Sequence, residues 1–321
     1  MKLKVAIRSP NWLGDAVMAF PAVRAIREAH PEAEITVLTR VYLGELWRLN
    51  PDVDSVCLLE KGILGELRES LKLKEKGFDI LLIMPRSFLT ALAGFLMGVP
   101  LRIGFNSEGR GIFLTKGVNV DRKKHRVLQY LDLLKPLDIP ANTSFPLLTP
   151  PAIPLKLPQP AIAFNTGANY GEAKCWPKEK FAELGKLLAK DGFEILLLGT
   201  QKEMRRNREI AMRISHKVTN LTGKTSLSEL ATLLTKISCL VTNDTGTMHL
   251  ASALGTPVVA IFGSTDPNIT GPWGEKAKVI RHKFSCSPCF KRKCPEGHFG
   301  CLESISVEEV YCAVKELING R

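Results

Sequence analysis

Short apolar runs alternate along this chain with longer segments whose apolar residues recur every three or four positions. Runs rich in Val, Ile and Leu are typical of buried strands, and the recurring pattern is typical of amphipathic helices. In the first half, strands are predicted over residues 5–8, 35–40, 55–59, 79–84 and 102–105. In the second half, they are predicted over residues 161–165, 194–199, 218–221, 239–243 and 258–262.

Helical segments lie between these strands, at residues 16–29 and 64–76 of the first half and at 178–191 and 226–236 of the second. Alternating strands and helices predict an α/β fold in which helices cover both faces of parallel sheets. Open sheets of this kind bind ligands at the carboxyl ends of their strands. We therefore expect two doubly wound, Rossmann-like domains with an active site shared across the cleft that their strand ends face.

A proline-rich segment separates the two halves. Eight of the twenty prolines fall between Pro136 and Pro160, a density that prevents a regular helix or a central strand. Such a segment is typical of a semi-rigid linker. We expect domains at residues 1–150 and 151–321, and the last helix can pack back on the first domain.

The chain is strongly basic. Its 44 lysines and arginines exceed its 32 acidic residues, so the net charge is +12 at pH 7. This excess favours an acidic partner, which is a nucleic acid, an anionic membrane surface or a phosphorylated substrate. The sequence has no aromatic RNA-binding motif or zinc-finger spacing, and its aromatic content is 7%, which argues against nucleic acid. The loop after the first strand lacks the G-x-G-x-x-G of a dehydrogenase, which argues against that class.

The amino terminus shows no secretory signal pattern. The most apolar stretch, residues 88–99, is shorter than the roughly twenty residues that a membrane-spanning helix needs. We therefore expect a cytoplasmic protein that contacts a membrane only peripherally.

The stretch VTNDTGTMHLASALGTPVVAIFGSTDP places Asp244, Thr245, Gly246 and Thr247 between a strand and a helix. Hydroxyls, a glycine and free N–H groups at a helix N-terminus form an anion site, because the helix dipole also favours negative charge there. The alternative is that Asp244 or Thr245 only caps the helix. His249 lies on the same helix face as Thr245, where it either donates to a phosphate or makes a structural hydrogen bond.

Two further loops follow predicted strands. NTGANYGEAKCWP contributes Lys174, whose position after a strand's carboxyl end favours a ligand contact over an ordinary surface role. SPNWLGDAV, after the first strand of the chain, places Asp15 where a helix should begin. A carboxylate at that point is either a helix cap or a catalytic group.

Four of the eight cysteines, Cys286, Cys289, Cys294 and Cys301, fall within sixteen residues and enclose His298. Four soft ligands at close spacing can hold a tetrahedral structural zinc ion, although this spacing is not that of a common zinc finger. The alternatives are disulfides, which are uncommon in the cytoplasm, and small buried thiols.

Together, the segments NWLGDAVM, GANYGEAKCWP, LTGKTSLSELA and NDTGTMHLASALGTPVVAIFG resemble the ADP-heptose:lipopolysaccharide heptosyltransferases of glycosyltransferase family 9. Within that family they are most similar to the enzymes that add the second heptose of the inner core. The resemblance extends from residue 8 to about residue 305. It implies a GT-B fold, with the acceptor mainly in the N-terminal domain and the ADP-sugar donor mainly in the C-terminal one. It also implies inverting transfer that requires no metal or other cofactor.

The resemblance further implies which residues form the site. Asp15 becomes the general base, and the donor-phosphate residues are Lys174, Asp244, Thr245, Gly246, Thr247 and His249. The nucleoside residues are Glu203, Lys224, Thr225 and Ser226. Candidates for acceptor contacts, chosen for charge and position, are Arg8, Asn11, Arg86, Arg102 and the basic run 122–126, whose members are otherwise solvated surface residues.

The implied partners are ADP-heptose, a lipopolysaccharide inner-core acceptor and the cytoplasmic leaflet of the inner membrane. Phosphates and carboxylates of lipid A and its acidic sugars would match the positive charge of the chain. No nucleic acid is expected, and the protein is expected to be a monomer. The alternatives are transfer of the first heptose or of another ADP-sugar, and a sugar-nucleotide-binding protein without catalysis.

Overall fold

The computed structural model describes residues 2–60, 62–154 and 157–320. It divides into two compact units, Met1–Thr149 and Pro150–Arg321. Each unit contains a six-stranded sheet whose strands pair in parallel. No helix in the described part of the chain has both the length and the apolar character needed to span a bilayer.

The first unit has the sheet order β3-β2-β1-β4-β5-β6. Its strands are β1 (Lys4–Arg8), β2 (Glu34–Arg40), β3 (Ser55–Leu59), β4 (Ile80–Ile83), β5 (Leu101–Phe105) and β6 (Lys116–Val118). Its helices are α1 (Leu13–Met18), α2 (Phe20–Ala29), α3 (Gly44–Arg48), α4 (Ile63–Leu73), α5 (Phe88–Leu96) and α6 (Arg126–Asp132).

The second unit repeats this order as β12-β11-β10-β7-β8-β9. Its strands are β7 (Ala161–Asn165), β8 (Glu194–Leu198), β9 (Val218–Asn220), β10 (Cys239–Asn243), β11 (Val258–Ile261) and β12 (Ala277–Ile280). Its helices are α7 (Lys178–Lys190), α8 (Met204–Ile214), α9 (Leu227–Lys236), α10 (Gly246–Ala253), α11 (Pro267–Thr270), α12 (Gly300–Glu303) and α13 (Val307–Asn319).

The central strands of both sheets, such as β4, β7, β10 and β11, are buried on both faces, which explains why they are continuous apolar runs rather than alternating ones. In the first unit β1 lies between β2 and β4, with Val5 opposite both Ile35 and Ile80. In the second unit β7 holds the corresponding place, between β8 and β10. The strand order reverses at β1/β4 and at β7/β10, and doubly wound sheets bind their ligands at such a reversal.

The last helix, α13, contributes to the core of the second unit. The apolar face of α13, which includes Val307, Val310 and Val314, is buried in the core of the second unit. There it packs against α7 and the strands β10, β11 and β12. An amphipathic helix has one apolar stripe, and this stripe is occupied by the sheet of its own unit.

Three elements differ from the predicted pattern. The helix predicted over residues 16–29 is two helices, because Pro21 has no N–H to donate to the preceding turn and lies instead at the start of α2. The edge strands β6 and β12 were not predicted. Residues Lys116–Val118 are three residues with a central glycine, too short for a recognisable strand pattern.

Candidate functional site

Asp15 lies in the first turn of α1, directly after the central strand β1, and its side chain is 28% exposed. Within the described residues, its carboxylate contacts α6 rather than the amides that open its own helix. Oδ1 accepts from the Tyr130 hydroxyl at 3.3 Å and lies 3.5 Å from Arg126 Nε. The helix-cap interpretation of Asp15 therefore does not account for the position of its carboxylate.

Tyr130, Arg86 and Arg126 determine the electrostatic environment of Asp15. Burial raises the pKa of Tyr130 well above its usual value, and the negative charge of Asp15 raises it further. Tyr130 is therefore a permanent hydrogen-bond donor at neutral pH. Burial lowers the pKa of Arg86, and the nearby positive charge of Arg126 adds to that effect. Arg86 and Arg126 thus place two positive charges near the Asp15 carboxylate, at the carboxyl edge of the first sheet.

The other acceptor candidates of the first unit lie in different places. Asn11 is in the loop between β1 and α1, where its side-chain oxygen accepts from Arg8 Nη2 at 3.1 Å. Arg8 itself is buried, and its Nε pairs with the buried Glu66 at 2.9 Å. Arg8 therefore anchors this loop. From the basic run 122–126, Arg126 reaches Asp15, whereas Lys124 pairs with a carboxylate of its own helical region.

Arg102 is not at this edge of the sheet. It is the second residue of β5, opposite the start of β4, and so lies toward the amino ends of the strands. Its Nε donates to Phe113 O at 2.8 Å and its Nη1 to Val99 O at 2.5 Å, and its guanidinium stacks on Phe95. These contacts occupy the Arg102 guanidinium and indicate a structural role. Doubly wound sheets bind ligands at the carboxyl ends of their strands, and Arg102 precedes that end of β5 by three residues.

In the second unit, three loops that follow neighbouring strands meet at Asp244. This buried carboxylate lies just after β10 and accepts from Lys174 Nζ at 2.5 Å and from Thr265 Oγ1 at 2.7 Å. Lys174 comes from the loop after β7, and Thr265 comes from the loop after β11. Because a carboxylate repels a phosphate, we interpret Asp244 as the residue that holds Lys174 in place.

Thr245 is the N-terminal cap residue of α10, but in the described part of the chain its side chain makes no capping hydrogen bond. Its hydroxyl instead accepts from Asn165 Nδ2 at 2.9 Å and lies 3.1 Å from Thr242 Oγ1. The first turn of α10, with Gly246 and Thr247, therefore keeps its amides available to a ligand at the β7/β10 reversal. His249, in the next turn, is buried.

The predicted nucleoside residues lie on the β8 and β9 side of this sheet. The Glu203 carboxylate accepts from Thr200 N and Oγ1 at 2.7 and 2.6 Å, and its stem packs so closely on Gly167 that an added Cβ would lie 2.2 Å from Glu203 Cγ. Lys224 is exposed, and Thr225 follows it in the loop after β9. The Ser226 hydroxyl caps α9 by accepting from Glu229 N.

The four clustered cysteines are free thiols that line one small cavity, together with Ala173, Ser264 and His298. Burial raises the pKa of Cys301, and the other three cysteines of the cluster raise it further. Among the described residues, no group of three or more His, Cys, Asp or Glu side chains is arranged to hold a metal ion. The structure therefore does not support the zinc site that the spacing suggested.

Sequence reasoning missed several residues that the structure brings to these sites. Tyr130 is 115 residues from Asp15 and carries no motif. Thr265 and Asn165 lie within the two sequence segments that begin near the carboxyl ends of β10 and β7. A hydroxyl and an amide close to strand ends could have identified them as candidates. Tyr170, in the loop of Lys174, places its ring centroid 4.7 Å from Lys174 Nζ.

Comparison with known proteins agrees with this architecture. The family model described as glycosyltransferase family 9 (heptosyltransferase) matches residues 67–299. Lipopolysaccharide heptosyltransferase 2 of Escherichia coli K12 is 30% identical over 335 residues, covering 96% of each chain. The solved structure of E. coli ADP-heptose lipopolysaccharide heptosyltransferase II matches with a TM-score of 0.88 at 28% identity, covering 99% of each chain.

A family 9 glycosyltransferase from Veillonella parvula DSM 2008 matches with a TM-score of 0.90 at 25% identity, covering 100% of this chain and 99% of that one. The two Rossmann-like sheets are thus those of the GT-B fold, as the sequence motifs predicted. The matched family model spans well over half of the chain. The chain is a glycosyltransferase and belongs to family 9, the heptosyltransferase family.

Proposed function

We propose that this enzyme transfers a heptose from ADP-heptose to the heptosyl-Kdo-lipid A inner core of lipopolysaccharide, with inversion at the anomeric carbon. Its similarity to E. coli lipopolysaccharide heptosyltransferase 2, in sequence and in solved structure, supports this substrate pair. The observation that carries the proposal is the Asp15 carboxylate, which is partly exposed at the strand-order reversal and is held by Tyr130 and Arg126. In this account, the first unit binds the acceptor and the second binds the donor.

Asp15 acts as the general base. Its free oxygen accepts the proton of an acceptor hydroxyl, whose oxygen forms a bond to the anomeric carbon while the bond from that carbon to the diphosphate breaks. Tyr130, which stays protonated, and Arg126 hold the carboxylate in one orientation. A base positioned in this way contributes about 10²- to 10⁴-fold to a rate.

The ADP leaving group departs with negative charge, and we assign its stabilisation to the second unit without a metal ion. The amides of the first turn of α10 and the Lys174 ammonium supply preorganised hydrogen-bond donors and positive charge. Nucleoside contacts are assigned to Glu203 and to the loop of Lys224, Thr225 and Ser226.

We place the enzyme at the cytoplasmic leaflet of the inner membrane as a peripheral monomer. The net charge of +12 supports attraction to an anionic leaflet. Arg86 and Arg126, close to Asp15, are the residues that we assign to acidic groups of the acceptor.

The test is a turnover assay with ADP-heptose and two acceptors, Kdo-lipid A with and without one heptose, followed by mass spectrometry of the product. We expect one heptose to be added to the heptosylated acceptor, with an unchanged rate in a chelator. Preference for the acceptor without heptose would assign the first transfer instead. Binding of ADP-heptose without turnover on either acceptor would indicate a sugar-nucleotide-binding protein.

A further inference from the structure

The segment of residues 286–294, which contains three of the clustered cysteines, lies against the loop that carries Lys174. Phe290 O accepts from the Tyr170 hydroxyl at 2.7 Å, and Arg292 O accepts from Ala173 N at 3.1 Å. The two backbones approach so closely at Gly171 that an added Cβ would lie 2.3 Å from Arg292 O. Backbone contacts of this kind fix where residue 292 sits relative to Lys174.

The same segment also holds the loop after β11. Phe290 N donates to Ser264 O at 2.8 Å, and Ser287 Oγ donates to Gly263 O at 2.6 Å. The next residue of that loop, Thr265, donates to Asp244. Segment 286–294 is therefore fastened to both loops that contact the Asp244 carboxylate, and it forms part of the same site.

Segment 286–294 brings a second cation to the site. Tyr170 presents one aromatic ring to two positive charges, with Lys174 Nζ 4.7 Å and Arg292 Cζ 5.6 Å from the ring centroid. A cation over an aromatic face is held there by the ring quadrupole. Arg292 is exposed, so its guanidinium is open to a ligand.

The charge balance of the site favours a role for this second cation. Lys174 is paired with Asp244, so this pair has no net charge. A diphosphate brings about two negative charges, which a helix N-terminus equivalent to roughly half a positive charge does not balance. Within the described ranges, no carboxylate lies at ion-pair distance from Arg292, so its charge is available.

We propose that Arg292 binds the diphosphate of the sugar nucleotide and the departing nucleoside diphosphate, with Tyr170 holding it beside Lys174. This inference rests on the proposed function, because it takes a nucleoside diphosphate as the ligand. A guanidinium suits this task because its planar N–H groups can donate two parallel hydrogen bonds to phosphate oxygens.

The test compares ADP binding, measured by calorimetry, for the wild type and for Arg292→Gln, Arg292→Lys and Lys293→Gln. Lys293→Gln is the matched control, because it removes the same charge from the neighbouring exposed position. We expect Arg292→Gln to weaken ADP binding about tenfold or more, as the loss of a charged hydrogen bond to phosphate requires. The ADP affinity of Arg292→Lys should lie between those of Arg292→Gln and the wild type. The ADP affinity of Lys293→Gln should stay within about twofold of the wild-type value.

An Arg292→Gln variant that binds ADP as tightly as Lys293→Gln would overturn the inference and leave the proposed function standing. A wild-type protein that binds no ADP would overturn both. Thermal unfolding of the unliganded variants accompanies the titrations. Because the side chain of residue 292 is exposed, we expect unchanged melting temperatures, which separates lost contacts from lost folding.

Discussion

The Tyr130 hydroxyl donates to Asp15 Oδ1 across 3.3 Å and so joins the first turn of α1 to α6. Tyr130 is buried, whereas the Asp15 side chain is 28% exposed. The tyrosine therefore supports the carboxylate from the protein side, and within the described residues no donor reaches Oδ2, which leaves it for a ligand. Arg126, on the first turn of the same helix, adds a positive charge at 3.5 Å.

The raised pKa of Tyr130 predicts a stability change at high pH. The native state keeps the Tyr130 proton while the unfolded state loses it near pH 10, so this contribution to stability is complete below about pH 10 and is lost as the pH rises. Tyr130→Phe removes the effect. In urea unfolding from pH 8 to 11, the wild type should lose up to about 1.4 kcal/mol per pH unit more than the variant above pH 10. Parallel stability curves for the wild type and Tyr130→Phe would contradict this.

Two arginines of the first unit should respond differently to the same change. Arg86→Gln should raise the KM for the acceptor about three- to tenfold, because it removes a cation beside Asp15. Arg102→Gln should leave that KM unchanged and lower the free energy of unfolding by about 1–2 kcal/mol, since two backbone carbonyls lose their donor. Steady-state kinetics and urea unfolding of both variants measure this split. Equal effects on KM would contradict the structural role of Arg102.

Asp244→Asn tests the buried ion pair with Lys174. Removing one partner of a buried pair leaves the other charge uncompensated, so we expect a loss of about 3–5 kcal/mol in the free energy of unfolding. Asp191→Asn is the matched control, because its ion pair with Lys315 is partly exposed, unlike that of Asp244, and should contribute under about 1 kcal/mol. Urea unfolding measures the free energy of unfolding of both variants. A loss in Asp244→Asn no greater than in the control would show that Asp244 does not hold Lys174.

Gly171→Ala tests the close contact with segment 286–294. The added Cβ would meet Arg292 O at 2.3 Å, so the two backbones must separate. Gly192→Ala is the control, because Gly192 also has a positive φ but no atom of the described residues lies within 4 Å of its added Cβ. We expect about 1 kcal/mol of destabilisation for Gly192→Ala and at least about 2–3 kcal/mol for Gly171→Ala, measured by urea unfolding. Equal losses would mean that the contact is easily relieved.

The sheets were predictable from sequence because strands buried on both faces are apolar runs, as in β7 and β10. The motif glycines and hydroxyls also located the strand-end loops correctly, since parallel strands direct their following loops to one edge. The short edge strand β6 was not predictable, because three residues with a central glycine give no periodic signal.

The side-chain partnerships were not predictable from sequence. The Asp15 and Tyr130 positions are 115 residues apart, and those of Lys174 and Asp244 are 70 apart, so only the fold brings them together. Arg102 was assigned to the acceptor from its place near a strand end. The sequence does not reveal that its guanidinium is already used by Val99 and Phe113.

The most direct test of the account is the turnover number of Asp15→Asn with ADP-heptose and the heptosylated acceptor, measured beside ADP binding by calorimetry. Asp138→Asn serves as the control, because it makes the same change at an exposed position. We expect kcat to fall about 10²- to 10⁴-fold in Asp15→Asn, with unchanged ADP affinity and a folded protein, since only the base is lost. Turnover within about tenfold of the wild type, with ADP binding intact, would contradict the assignment of Asp15 as the base.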